Sequence, residues 1–293
     1  MEIKYIDRET GTLCTESVMG DGALRFAYET LAGRMLWPLL FSGGMVSSLL
    51  GRYYDSRRSR RSIPSLAATP GLRADEAEKP WQEYASFNDF FTRRLKPGAR
   101  PAAEGDDVLC APADGRLRLY TGIARDAKIP VKGAVRSLET LCGRALPDAA
   151  CDVAVIRLAP VDYHRFHYPC DCTQDGEALR IPGKYHSVNP IAFRRAPDVF
   201  VENARTVSVL HSPVFGEIVY IEVGAFGVGS IVQTAGAGRH EKMAEKGFFK
   251  FGGSTVILIL RAGAAVFDAD LLENSRRDLE TLIRCGTRIG AKA

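Results

Sequence analysis

The amino-acid sequence predicts an α+β protein with a mainly antiparallel β core, built as a sandwich or barrel, and with helices at both ends. Short apolar, β-branched segments recur between residues 115 and 260, and turn residues separate them at fairly regular intervals. Helical patterns of apolar residues lie on either side of this region. The chain has 293 residues, of which 46% are hydrophobic and 25% charged, as is typical of a globular protein with a sizeable core.

The N-terminal helical pattern extends from about residue 20 to about residue 60. Its first apolar face consists of Leu24, Phe26, Leu31, Met35, Leu36, Leu39 and Leu40. A second helical segment runs from Val46 to Tyr54. The most apolar part, Met35 to Leu50, contains Pro38 and two glycines and is shorter than the ~20 residues that cross a bilayer. We therefore predict no membrane span.

An arginine cluster follows these helices. It consists of Arg52, Arg57, Arg58, Arg60 and Arg61 and is opposed only by Asp55. An apolar helix pair followed by arginines is typical of helices that lie in a membrane interface, near anionic headgroups. A helical hairpin packed on its own domain, with solvated arginines, is the alternative that the residues alone leave open.

A change of composition divides the chain. Residues 62–83 are rich in proline, alanine and charge, which indicates a linker. Ser86 then caps a predicted short helix, with Asp89 three residues later in the capping-box position. We therefore expect an N-terminal helical region with its linker over residues 1–83 and a β-rich domain over residues 84–293.

The β-rich domain also contains a short predicted helix, Ser137 to Cys142, and a last helix of about Asp270 to Cys285. The predicted strands are Gly115–Tyr120, Val153–Leu158, Glu177–Ile181, Thr206–Leu210, Glu217–Val223, Gly229–Thr234 and Thr255–Leu260. A glycine-rich stretch, Gly224 to Ser230, precedes a strand rather than a helix. It therefore predicts a bend between strands and not a dinucleotide-binding loop.

Charge and cysteine content exclude some classes of protein. A formal net charge of +4 does not indicate a nucleic-acid-binding protein. The seven cysteines are scattered, odd in number and without a Cys-x-x-Cys pair, which favours reduced thiols over a disulfide framework. Cys170 and Cys172 lack metal-binding partners at a suitable spacing, so we expect them to be thiols within strands.

Four residues could together form an acid–base–nucleophile set. Ser254 follows Gly253 and opens a buried apolar strand, and a glycine offers no Cβ that would hinder attack on its carbonyl carbon. His164 and His167 follow another apolar strand, and Asp114 lies in a turn that opens a strand. A carboxylate, an imidazole and a hydroxyl are the groups that activate a serine.

Less specific interpretations of these residues remain open at this point. Gly-Gly-Ser and Pro-x-Asp-Gly are common turn sequences. The two histidines could be structural, or they could bind zinc, although the spacing offers no third ligand. We therefore predict no metal.

Ordered blocks of sequence resemble the phosphatidylserine decarboxylase family over nearly the whole chain. The blocks are Tyr84–Leu95, Pro112–Gly115, Asp162–His167, Ser187–Pro190, Val223–Ile231 and Phe249–Thr255. The Gly-Ser-Thr form of the last block and the long N-terminal region resemble the membrane-associated bacterial branch of the family. Gly252 replaces the leucine of the common Leu-Gly-Ser-Thr sequence, a change that we expect to be tolerated because it only loosens the turn.

The resemblance implies that the chain makes its own cofactor, a covalent pyruvoyl group. Ser254 Oγ would attack the carbonyl carbon of Gly253, and β-elimination would then release a chain of residues 1–253. The chain of residues 254–293 would begin with the pyruvoyl group. Matching positions assign His167 as the base for self-cleavage and Asp114 as its orienting partner.

The resemblance further implies that residues 84–293 are catalytic and convert phosphatidylserine to phosphatidylethanolamine, in phospholipid biosynthesis, through a Schiff base with the pyruvoyl group. His164 would lie near the substrate carboxylate and deliver the proton. The alternatives are a decarboxylase of a related serine lipid and a non-catalytic lipid-binding homologue.

A substrate held in a bilayer implies that Met35 to Arg61 is a peripheral anchor. We expect it to bind the anionic, cytoplasmic side of the cell membrane. The two cleaved chains are expected to stay together as a heterodimer, and a homodimer is left open.

Overall fold

A computed structural model describes residues 3–16, 44–127, 137–184, 199–225, 231–252 and 254–293. The first predicted helix of the N-terminal region lies outside these residues, and so do Gly253 and the Ser187–Pro190 block.

The described helices are short. The α-helices are α1 Gly44–Asp55, α2 Ile63–Ala67, α3 Phe87–Phe91, α4 Leu138–Cys142, α5 Val199–Glu202 and α6 Ala269–Arg276. The 3₁₀-helices are η1 Arg57–Ser62, η2 Ala74–Glu76 and η3 Trp81–Glu83. Among the described residues, no helix is both long and apolar enough to cross a membrane.

Strands are the main regular secondary structure, as predicted. The first of them are β1 Lys4–Asp7, β2 Leu13–Thr15, β3 Val108–Cys110, β4 Gly115–Ala124, β5 Ala150–Leu158, β6 Arg165–His167, β7 Cys172–Gln174 and β8 Leu179–Ile181. The others are β9 Arg205–Ser212, β10 Gly216–Gly224, β11 Ile231–Gln233, β12 Gly238–His240, β13 Glu245–Phe249, β14 Ser254–Arg261, β15 Ala265–Phe267, β16 Glu280–Ile283 and β17 Arg288–Lys292.

An 11-stranded sheet forms the centre of the molecule. Its order is β12-β7-β9-β10-β14-β5-β4-β16-β1-β2, with β8 also paired to β9. The pairing is antiparallel except between β1 and β16. Two three-stranded sheets, β11-β13-β6 and β15-β17-β3, complete the α+β architecture that the sequence predicts.

Strand β14 lies near the middle of the main sheet, between β10 and β5. Its apolar run does not alternate with polar residues because both faces of the sheet are covered. Val256, Leu258 and Leu260 contribute to one hydrophobic cluster, whereas Ile257 and Ile259 contribute to the other. This arrangement buries the first residue of the strand, Ser254, as deeply as its centre.

A fully buried ion pair connects the β11-β13-β6 sheet to the main sheet. Lys246 of β13 donates from Nζ to Glu222 Oε1 of β10 at 2.6 Å. It also donates to Ser208 Oγ at 3.0 Å and to Gln233 Oε1 at 2.9 Å, so all three ammonium hydrogens have acceptors. A buried charge needs such full pairing. The pair therefore holds β13, the strand that leads towards Ser254, against the central strands.

The chain between residues 57 and 91 packs on this core. Its hydrophobic cluster consists of Ile63, Leu66, Tyr84, Phe87, Phe90 and Phe91, and Phe251 packs against it. Ser86 Oγ accepts a hydrogen bond from Asp89 N at 3.1 Å, which confirms the predicted helix cap.

The sequence predicts a linker over residues 62–83. The structure instead has the short helices α2, η2 and η3 in this stretch. Strands β1 and β2 were not predicted either, and they join the main sheet. Contacts therefore cross the proposed boundary at residue 84, and the division into two domains stays a prediction.

The predicted last helix, of about Asp270 to Cys285, is wrong in its second half. Helix α6 ends at Arg276, and Asp278 adopts a left-handed conformation with a φ of 64°. Residues Glu280–Ile283 form β16, in which buried and partly exposed residues alternate. The apolar residues of α6 and of β16 together happen to follow the spacing of a single amphipathic helix, which explains the wrong prediction.

Candidate active site around Ser254 and the two histidines

Ser254 is the first residue of β14. It lies opposite Gly224 of β10 and Leu158 of β5. Its side chain is fully buried, and its Oγ has no hydrogen-bond partner among the described residues. An unpaired buried polar group costs about 1–3 kcal/mol, so such groups are uncommon in a folded protein. The hydroxyl of Ser254 is therefore not engaged by another described group and is available to react.

The segment just before Ser254 is fixed from two sides. Phe249 N donates to the carbonyl oxygen of His164 at 2.9 Å, and Phe251 N donates to Asn88 Oδ1 at 3.0 Å. Lys250 forms an ion pair of 2.8 Å with Asp55. The loop that carries His164, between β5 and β6, and helices α1 and α3 therefore all hold the chain immediately before the proposed cleavage point.

His164 is buried, and the geometry determines its tautomer. Its Nδ1 lies 2.9 Å from the carbonyl oxygen of Asp162. Because a carbonyl can only accept, Nδ1 carries the proton and Nε2 holds the lone pair in the neutral ring. Nε2 is buried without a described partner, and the ring centroid lies 3.9 Å from that of Phe91. Burial, supported by the charge of Arg93, lowers the pKa of His164 to about 3.

The Asp162 carboxylate shapes the loop that carries His164. It accepts hydrogen bonds from Ala159 N at 2.6 Å and from Arg116 Nη1. Burial raises the pKa of Asp162 above its usual value, against the opposing charge of Arg116. The loop is thus closed on itself and bonded to Arg116 of β4, which positions the Asp162 carbonyl oxygen that accepts the hydrogen bond from His164 Nδ1.

His167 lies in β6, on the strand that pairs with β13. Its backbone N donates to the carbonyl oxygen of Pro112 at 2.8 Å, and its ring stacks on Tyr163 with a centroid distance of 5.8 Å. Burial lowers the pKa of His167 to about 4, against the charges of Glu245 and Asp114. The imidazole is therefore neutral near pH 7 and able to accept a proton.

Asp114 is engaged by two groups other than His167. Its Oδ1 accepts from Arg100 Nε and from Cys285 N, both at 2.8 Å, and its Oδ2 accepts from Arg100 Nη2 at 2.6 Å. The structure gives no hydrogen bond between the described side chains of Asp114 and His167. Cys285 lies between them, with its Sγ 3.3 Å from His167 Nδ1.

Sequence reasoning missed Arg100 and Cys285. Cys285 was grouped with the scattered thiols, and it is 171 residues away from Asp114 in the chain. A local pattern carries no signal for such a contact. Arg100 lies just beyond the Tyr84–Leu95 block, and its position beside that block is the only hint that the residues offered.

The described residues contain no cluster of three or more His, Cys, Asp or Glu side chains that could hold a metal ion. Nothing in those parts of the chain therefore favours the zinc alternative.

Comparison with known proteins places the chain in a family. A family model described as phosphatidylserine decarboxylase matches residues 87–291. The chain belongs to the phosphatidylserine decarboxylase family. It is 41% identical over 293 residues to the phosphatidylserine decarboxylase proenzyme of Chlamydia felis, covering 99% of this chain and 98% of that one. The proenzyme of Ruminiclostridium cellulolyticum is 38% identical over 292 residues, with 98% and 97% covered. The protein is accordingly an enzyme of the decarboxylase class.

We expect the stability of this decarboxylase to depend on pH because two of its histidines are buried and have lowered pKa values. An unfolded chain protonates histidine near pH ~6.5, whereas the folded chain keeps His167 neutral to about 4 and His164 to about 3. Below pH ~6.5 the unfolded state binds more protons, so the free energy of unfolding falls by about 1.4 kcal/mol per pH unit for each histidine. Above that pH the two histidines add no pH dependence.

Urea unfolding of the Ser254→Ala chain at several values between pH 4 and 7 measures this slope. His164→Gln and His167→Gln, each in the Ser254→Ala chain, should each reduce the slope of the free energy of unfolding against pH by the equivalent of about one bound proton. His211→Gln, at an exposed histidine, controls for the substitution itself. If the buried-site variants keep the parent slope, the histidines are not held neutral.

Proposed function

We propose that this chain is a proenzyme that cleaves itself between Gly253 and Ser254 and then decarboxylates phosphatidylserine to phosphatidylethanolamine. The observation that supports it most is the buried, unpartnered Oγ of Ser254 at the start of the central strand. Membership of the decarboxylase family and the description of its relatives as proenzymes support the same conclusion. The reaction belongs to phospholipid biosynthesis.

Self-cleavage begins with an acyl shift from nitrogen to oxygen. Ser254 Oγ forms a bond to the carbonyl carbon of Gly253, the bond from that carbon to the nitrogen of residue 254 breaks, and the hydroxyl proton reaches that nitrogen by way of the base. Loss of the Cα proton then expels the Gly253 carboxylate. Water converts the remaining dehydroalanine to a pyruvoyl group and releases ammonia.

His167 is the base in this proposal. A general base must be unprotonated at working pH, and burial keeps this imidazole neutral. Its strand, β6, pairs with β13, and β13 ends at Phe249, a few residues before the serine. The base and the nucleophile are therefore carried by connected parts of the fold.

The residues present fit a pyruvoyl group at position 254, because an unpartnered oxygen already lies there in a dry, rigid strand. Such a group supplies an electron-accepting carbonyl for loss of carbon dioxide. His164 is the residue we assign to the substrate carboxylate and to proton delivery at the substrate Cα. Its Nε2 has no partner among the described residues and must first take up a proton, which an anionic carboxylate beside it favours, and Phe91 packs against the ring.

We further propose that the protein acts as a peripheral enzyme on the cytoplasmic side of the cell membrane, with its two chains retained as a heterodimer. Helices α1 and η1 support the membrane contact, because the arginines Arg52, Arg57, Arg58, Arg60 and Arg61 are all exposed there. Leu49 is also 58% exposed on α1. Exposed arginines beside an exposed apolar residue suit an anionic bilayer surface.

Ser254→Ala should abolish self-cleavage, because no other atom replaces the attacking oxygen. Intact mass should show a single chain near 32.0 kDa, and lipid decarboxylation should be absent. The unchanged sequence should give two chains, the smaller beginning with a pyruvoyl group at position 254. Ser212→Ala, at a buried serine of β9, is the matched control and should split normally. A split Ser254→Ala chain would show that the scissile bond is elsewhere.

Replacement of the two histidines should separate the two reactions. His167→Ala should slow self-cleavage by about 10²–10⁴-fold, the usual loss on removal of a general base. His164→Ala should cleave more readily than His167→Ala, yet fail to release carbon dioxide from phosphatidylserine. Denaturing gels follow the first reaction and carbon dioxide release follows the second. Equal cleavage of both variants would refute the division of roles.

Loss of arginines from η1 should weaken binding to anionic vesicles. Arg57→Gln with Arg58→Gln, in the Ser254→Ala chain, should lose about 1 kcal/mol per arginine, or about 30-fold in all. Sedimentation with phosphatidylserine-containing vesicles measures this loss. Arg276→Gln with Arg277→Gln removes the same charge from another exposed site and should leave binding near its original value. Equal losses from both pairs would indicate a general charge effect.

A further inference from the structure

Cys285 occupies a constrained position between Asp114 and His167. It lies in the turn between β16 and β17 and is 1% exposed. Its backbone N donates to Asp114 Oδ1 at 2.8 Å, and its Sγ lies 3.3 Å from His167 Nδ1. One residue thus contacts the proposed base with its side chain and the carboxylate with its main chain.

The turn that carries Cys285 is rigid. Gly286 N donates to the carbonyl oxygen of Ala111 at 2.9 Å, and Ala111 N donates to that of Thr287 at 2.8 Å. Gly286 has a φ of 87°, and a Cβ there would lie 2.4 Å from the carbonyl oxygen of Pro101. Only glycine fits this approach. The position of the thiol is therefore determined by the main chain on both sides.

Asp114 has little capacity left for a direct bond to His167. Arg100 binds both of its oxygens, and the second bond of Oδ1 goes to Cys285 N. Arg100 in turn forms an ion pair with Glu76, with 2.8 Å between Arg100 Nη1 and Glu76 Oε2. The carboxylate is thus neutralised and oriented by Arg100, and its link to the histidine runs through Cys285.

The hydrogen at His167 Nδ1 decides whether the ring can act as a base. If Nδ1–H donates to Sγ, then Nε2 holds the lone pair and can accept the serine proton. If instead the thiol donates to Nδ1, then Nε2 carries the proton and the neutral ring cannot act as a base through that atom. An acceptor at Nδ1 is the role that a carboxylate fills in a serine triad.

We propose that Cys285 is a positioning residue for self-cleavage, whose sulfur accepts the Nδ1 proton of His167 and so leaves Nε2 free as the base. Asp114 acts through it, because the bond from Cys285 N to the carboxylate fixes where the sulfur lies. This inference rests on the proposed role of His167. Burial raises the pKa of the Cys285 thiol well above its usual value, so the sulfur stays protonated and is a poor competing nucleophile.

Three variants test the role of the thiol. Cys285→Ala removes the acceptor and should slow self-cleavage by roughly 10- to 100-fold, as expected when a catalytic group is misplaced. Cys285→Ser restores an acceptor and should recover most of the rate. Cys142→Ala, at a fully buried cysteine of α4 in a different hydrophobic cluster from Phe166, is the matched control and should cleave as the unchanged chain does. Denaturing gels after synthesis give the rates.

The tautomer of His167 supplies a readout that a merely structural role would not change. In the Ser254→Ala chain labelled with ¹⁵N-histidine, the ring of His167 should give the signals of a protonated Nδ1 and an unprotonated Nε2. The added Cys285→Ala change should shift these signals towards a mixture of tautomers, and Cys285→Ser should restore them. His167→Gln identifies the resonances. If Cys285→Ala does not fold, Cys285→Val, which fills the space of the sulfur with methyl groups that cannot accept a hydrogen bond, replaces it in both experiments.

The outcomes separate this inference from the proposed function. Normal cleavage of Cys285→Ala with an unchanged tautomer, while His167→Ala does not cleave, would overturn the role of Cys285 alone. Normal cleavage of His167→Ala would overturn the choice of base itself. Slow cleavage of Cys285→Ala without rescue by serine and without a tautomer change would assign Cys285 to packing and also overturn the inference.

Discussion

The central place of β14 in the main sheet is the constraint on which the rest of the structure depends. Both edges of the strand are paired, with β10 on one side and β5 on the other, and both of its faces are buried. A serine at the start of such a strand loses water, and its hydroxyl gains no partner within the described parts of the chain. The same pairing that stabilises the sheet thereby holds the reactive oxygen in a dry and rigid place.

Buried arginine–carboxylate pairs then bring the other groups to this strand. Arg157, directly before the residue that faces Ser254, binds Glu16 and Glu280, each with a shortest distance of 2.6 Å. Arg116 holds the Asp162 loop, and Arg100 holds Asp114. Such pairs often add little net stability because desolvation offsets their attraction. Their contribution here is geometric, since Arg116 and Arg100 fix the loop of His164 and the turn of Asp114, and Arg157 ties Glu16 and β16 to β5.

The sequence predicted seven of the seventeen described strands, namely β4, β5, β8, β9, β10, β11 and β14, because a run of β-branched residues between turns indicates a strand whatever its partners. It failed at the C-terminus, where Leu279, Leu282 and Ile283 continued the spacing of helix α6 and yet belong to β16 and its approach. It also missed β1 and β2, whose Lys4–Asp7 and Leu13–Thr15 segments are too short and too polar to show a pattern. Their strand structure comes from tertiary pairing, since β1 pairs with β16, which is more than 260 residues away in the chain, and β2 pairs with β1.

The residue types and their order determined by themselves the family, the serine that opens β14, the two histidines and the aspartate. Those features are local, and a short motif contains them completely. Only the tertiary structure decided that Ser254 Oγ has no partner among the residues that the structure describes, that Asp114 is bound by Arg100, and that Cys285 lies between Asp114 and His167. These are contacts between distant parts of the chain, and the packing of whole sheets sets their distances.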